Sequence, residues 1–159
     1  MGYESVTEEK INQLVAMKKR VTNPNARKSD KGSHSQLNYT VKGEEEGYDF
    51  QLYMRQNKLL EDDFSCGLSW LMPSGEILTL QRYNGPNHNH PNHLEKETLG
   101  YNCHIHKATE RYIQANKKPD GFAVVTQEYR TLNGALSCLT RDCNIQGLST
   151  QPDVPSLFD

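Results

Sequence analysis

Five of the chain's six histidines, His88, His90, His93, His104 and His106, fall within nineteen residues. Imidazole changes charge near neutral pH, and its neutral nitrogen is a common metal ligand, so such density points to chemistry. In Cys103-His104-Ile105-His106 a strand's period of two sends both imidazoles to one face and Cys103 and Ile105 to the other. The His88–His93 loop leaves the end of a preceding strand at Arg82-Tyr83-Asn84. Antiparallel pairing of these two segments carries the loop back over the His104/His106 face, a common way to build a site.

Three readings of this cluster compete. In the first, His104 and His106 form an acid–base pair, His88 orients them, and Arg82, with Lys107 or Arg111, steadies a phosphate transition state. That arrangement needs no cofactor and suits cleavage of RNA or another nucleic acid. In the second, His88, His104 and His106 hold zinc, three nitrogen ligands being the number a catalytic zinc site uses. Glu95 and Glu97 lie nearby, but no HExxH spacing is present. In the third, the histidines are surface residues making ordinary hydrogen bonds. Under either of the first two readings, alanine at His104 or His106 is expected to abolish activity and leave stability nearly unchanged.

The elements that position these residues follow from local pattern. Thr7 before Glu8 and Glu9 predicts a helix N-terminus, and Ile11, Leu14, Val15 and Lys18 extend it over 7–20. Residues 22–46, rich in Pro, Asn, Ser and Gly, predict a long basic loop with a short strand near Leu37–Val41. Period-two runs over 48–56, 64–72 and 76–83 predict one antiparallel sheet, with a hairpin at Pro73-Ser74-Gly75. Strands are also expected at 102–107 and 122–125, and a helix at 131–143 carrying Leu132, Leu136, Leu139 and Cys143 on one side. Residues 108–115 fit helix or strand equally. These elements make one α+β domain over 1–145, a sheet with N- and C-terminal helices packed on it, followed by a disordered tail at 146–159.

Composition narrows the setting. The chain has 159 residues, 35% of them hydrophobic, and no apolar run near the roughly 20 residues of a membrane span. No secretory signal opens it, and four cysteines without a CxxC pair fit free thiols in a cytoplasmic protein. Residues 18–42 carry a net charge of +6, which makes Lys28 and Lys31 candidates for contacts to nucleic acid. The acids Glu44–Glu46 and Asp62-Asp63 suit a basic protein partner instead.

Several short motifs recur together in a known family. They are the opening Thr7–Lys19, Arg82-Tyr83-Asn84-Gly85, His88, His104-Ile105-His106 and the closing Asp142-Cys143-Asn144-Ile145. In order and spacing they resemble a family of small bacterial and phage proteins grouped as a domain of unknown function. The layout is also distantly similar to a toxin family of toxin–antitoxin pairs. The resemblance implies a mobile-element or phage–host setting, with an antitoxin or a defence nuclease as a conceivable partner. The family pattern has histidine at the places of His88, His104 and His106, asparagine at that of His90, and nothing fixed at His93. It therefore favours His88 over His90 as the third group.

Overall fold

The computed structural model describes residues 2–150 and 153. They form an α+β domain built on a large, mostly antiparallel sheet. In chain order the strands are β1 (Lys19–Val21), β2 (Ser29–Lys31), β3 (His34–Gly43), β4 (Asp49–Asn57), β5 (Phe64–Leu71) and β6 (Ile77–Asn84). They continue with β7 (Pro91–Asn92), β8 (Glu97–Thr98), β9 (His104–Lys107), β10 (Phe122–Val125) and β11 (Ile145–Gln146). The spatial order is β10-β9-β6-β5-β4-β3-β1-β11, with β2 added to β3 and β7-β8 a separate ribbon. Among the described residues, only β1 and β11 pair in parallel within the main sheet.

Helix α1 (Glu8–Ala16) starts as expected, Thr7 Oγ1 accepting from the Lys10 amide. It ends earlier than residue 20, because burial switches to a period of two: Met17, Lys19 and Val21 turn inward while Lys18 and Arg20 stay out. The inward Lys19 ammonium donates to the carbonyls of Val15, Met17 and Cys143 at 2.7–2.9 Å, tying both helix ends to β1. Burial lowers its pKa to about 8.

The expected loop over 22–46 is largely sheet. Strand β3 runs ten residues, with Tyr39 and Val41 buried, and β2 folds back on it. Its inward residues alternate with His34, Gln36, Asn38 and Thr40, so the polar outer face hid the strand. The +6 segment is thus no free basic strip. Lys19 is buried, and Lys42 pairs with Asp49.

Helix α3 (Leu132–Asp142) is capped by Thr131, whose Oγ1 accepts from the Gly134 amide, and packs Ala135, Leu136, Cys138 and Leu139 on β4, β5 and β6. Residues 108–115 resolve to a short helix α2 (Glu110–Gln114). The expected disordered tail is ordered at its start, since β11 pairs with β1 and Leu148 packs on the core. Asp153 accepts from the amides of Arg130 and Thr131 at the start of α3. Residues 151, 152 and 154–159 of the tail lie outside the described residues.

The core occupies one face of the sheet, with Phe50, Leu52, Cys66, Leu68 and Tyr83 nearly fully buried beneath α3. The opposite face is polar. Cross-strand register lines up Asn38, Tyr53, Gly67, Arg82 and His106 in one row across β3-β4-β5-β6-β9. A second row holds Gln36, Arg55, Ser65, Asn84 and His104. Two rows of polar side chains therefore lead straight to the two strand histidines.

Candidate metal centre

His104 and His106 share one face of β9, as alternation requires, but they are not surface residues. They are 0% and 1% exposed. Three things close over them: β10 on one side, the Pro119-Asp120-Gly121 turn, and the loop that follows β6. Asn92 holds that loop down. Its amide donates to the Ala123 carbonyl at 2.8 Å and its Oδ1 accepts from the Ala123 N–H at 2.9 Å, so a side chain pairs with β10 as a strand would.

This clamp carries His90 onto the strand histidines. Its ring centroid lies 4.4 Å from His106 and 5.6 Å from His104, and those two are 5.0 Å apart. One ligand nitrogen from each of the three lies within 4.8 Å of the others. A tetrahedral zinc ion separates its nitrogen ligands by roughly 3.4 Å.

The hydrogen bonds choose which nitrogens are free. His104 Nδ1 is 2.8 Å from the Asn102 carbonyl, and His106 Nδ1 is 2.9 Å from that of Asp120. A carbonyl only accepts, so both Nδ1 atoms carry the proton and both Nε2 atoms keep a lone pair. His90 is turned around, its Nε2 donating to the Gly121 carbonyl at 2.7 Å, which leaves Nδ1 as the free nitrogen. Fixing the tautomer of each imidazole through a backbone carbonyl is how metal-binding histidines are oriented.

The free nitrogens of His104 and His106 are buried without a partner. Seven buried side-chain atoms among the described residues are in that position, and five belong here: Arg82 Nε, Asn84 Oδ1, His104 Nε2, His106 Nε2 and Asp120 Oδ2. Buried polar groups are nearly always satisfied, so these five, gathered in one place, are open to a bound water, ion or ligand. Arg82 reaches Asp120 only at 3.6 Å, an ion pair rather than a hydrogen bond.

Burial also sets the protonation state. Desolvation, aided by the Arg82 charge and the neighbouring rings, lowers His104 to about 4 and His106 to about 2, and His90 is lowered for the same first reason. At neutral pH these rings are neutral, as metal binding requires. A general-acid role for His104 or His106, expected for an acid–base pair, suits poorly rings that resist forming the imidazolium and whose one N–H is held by a backbone carbonyl.

A consequence for stability follows. In the unfolded chain each imidazole takes up a proton near pH 6.5, but the folded rings refuse it until much lower pH, so acid favours unfolding. The contribution is fully present above pH 6.5 and is lost as pH falls toward the folded values. Between pH 6.5 and 5.5 the two rings together should remove about 2 kcal/mol from the metal-free protein. Urea denaturation at the two pH values checks this, and equal midpoints would contradict it.

The other expected site residues scatter. His88 stands edge-on to His104 at 5.3 Å, exposed at the cleft mouth, and is not among the three convergent ligands. Of the expected set His88, His104 and His106, the structure brings the two strand histidines together with His90, while His88 lies beside His104 outside that group. His93 is exposed and outside the group of three. Lys107 points to the opposite side of β9 from the two histidines. Arg111 pairs with Glu95 and covers the Tyr112 and Phe122 rings. Lys28 and Lys31 are exposed near β2, at the far side of the sheet from β9. Sequence reading missed His34, which faces the same cleft as His88, and the Asp120 carbonyl that fixes His106.

Compared with models of protein families, with curated proteins and with solved structures, the chain matches none. No helix among the described residues is long and apolar enough to cross a membrane.

Proposed function

We propose that the protein is a metal-dependent phosphodiesterase acting on nucleic acid, with zinc or a similar ion held by His90, His104 and His106. The observation that carries this is the set of three imidazoles, each engaged through one nitrogen by a backbone carbonyl and each offering one ring nitrogen within 4.8 Å of the others. Three protein nitrogens leave a coordination position open for water, the arrangement of catalytic zinc sites. A bound ion supplies acidity to that water near neutral pH.

The chain's own groups supply the rest. Arg82, beside the three rings and on the cleft wall, holds the phosphate and offsets the charge that builds on its oxygens. In hydrolysis the new P–O bond from water would replace the ester P–O bond, and the proton that the water gives up would return to the departing oxygen by way of His88, exposed at the cleft mouth. Such a protein fits a cytoplasmic, mobile-element or phage–host setting, as the motif resemblance implies.

Cleavage of a fluorescent oligonucleotide by the full-length chain tests the reading. Activity should vanish on chelation and return on addition of zinc. Activity that persists in chelator would instead restore the cofactor-free mechanism. A second reading, non-enzymatic binding to a cognate antitoxin or a defence nuclease, is favoured by the β4–β5 turn. There Leu59 is 92% and Leu60 60% exposed beside Glu61, Asp62 and Asp63.

A further inference from the structure

Beside the three histidines, the polar sheet face opens into a cleft of about 460 Å³. Its wall includes His34, Arg55, Ser65, Arg82, Asn84 and His88. Two kinds of demand meet there. Arg82 Nε is a buried donor without an acceptor, and the exposed Arg55 stands two strands away on the neighbouring row. These suit a phosphate, which accepts and never donates when ionised.

Asn84 asks for the opposite. It is 7% exposed, lines the cleft, and its Oδ1 is a buried acceptor with no donor. Its position is fixed from behind: β6 pairs it with Ser65 on one side and His104 on the other, and the Tyr129 hydroxyl donates to its backbone carbonyl at 2.8 Å. The backbone that carries the side chain is therefore held in place beside the cleft. A phosphodiester offers that oxygen no donor, and neither does a deoxyribose within a strand. A ribose does, because the 2′-hydroxyl is a donor lying next to the phosphate along the chain.

We infer that this cleft is a ribonucleotide subsite, in which Asn84 Oδ1 accepts from a ribose 2′-hydroxyl while Arg82 and Arg55 hold the adjoining phosphate. The substrate is RNA and not DNA. This rests on the nucleic-acid reading above and deepens it. A site built around an acceptor discriminates strongly against a ligand lacking the donor, since the acceptor is then left buried and unpaired.

The test is fluorescence anisotropy with the full-length chain kept in chelator, so that the probes stay intact. Three labelled single-stranded octamers of one sequence serve as ligands: RNA, 2′-fluoro-RNA and DNA. The 2′-fluoro probe keeps the ribose-like sugar but has no hydroxyl proton to give. RNA should bind about tenfold more tightly than either of the others. Asn84→Leu should bring RNA down to the DNA level and leave DNA affinity within about twofold. Comparison of the three probes on the unaltered protein stands even where the variant fails to fold. Equal binding of all three overturns the ribose inference and leaves the nucleic-acid reading intact. RNA and 2′-fluoro-RNA binding alike, both above DNA, also overturns it, since sugar shape is then what is read. Binding of none overturns both.

Discussion

His90→Ala, His104→Ala and His106→Ala should each weaken zinc binding by more than about 100-fold, and His88→Ala should leave it within a few-fold of the unaltered protein. Each of the three supplies a nitrogen that is free only because its other nitrogen is held by a backbone carbonyl. A lost ligand cannot be replaced from the nearby side chains, since Asp120 and His88 fall outside the convergent set. Calorimetric titration of metal-free protein with zinc measures the effect. Cleavage activity should fall in parallel for the three ligands. His104→Ala and His106→Ala will also lower stability, contrary to the expectation from sequence, because both rings are buried and their removal leaves cavities, at a cost of about 2 kcal/mol or more. His90→Ala, less buried, separates loss of metal from loss of fold.

The second large effect is on folding. Gly85 ends β6 where the chain turns into the histidine loop, and its amide donates to the Phe64 carbonyl at 3.0 Å. A Cβ built there would lie 2.2 Å from the Asp62 carbonyl oxygen and 2.8 Å from the Phe64 ring. The first of these is backbone and cannot rotate aside. Gly85→Ala should therefore destabilise the protein by about 3 kcal/mol through overpacking. It should also weaken zinc binding, because the displaced segment carries His90. Urea denaturation and zinc titration of one preparation read both effects. Unchanged stability would show that the turn yields easily.

The rows of the sheet explain what sequence could and could not reveal. Alternation placed His104 and His106 on one face, and the Arg82-Tyr83-Asn84 strand end beside them, because period two is a local property of the chain. It could not choose between His88 and His90. Both sit in an irregular loop whose path is set by Asn92 pairing with Ala123, a contact between positions far apart in sequence. Strand β3 was hidden for a different reason. Its inward Leu37, Tyr39 and Val41 alternate with His34, Gln36, Asn38 and Thr40, and that polar half resembles a loop until it is seen to face the cleft. Lys19 misled in the same way, since a lysine is rarely buried unless a cluster of carbonyls awaits it.

X-ray absorption at the zinc edge reads what surrounds the ion without reference to activity. Full-length protein is loaded with one equivalent of zinc and desalted. The expected spectrum shows three imidazole nitrogens and one oxygen at about 2.0–2.1 Å, with one nitrogen lost in His90→Ala. Zinc that washes out on desalting, or a shell containing sulfur from the cysteines, would contradict a centre built from His90, His104 and His106.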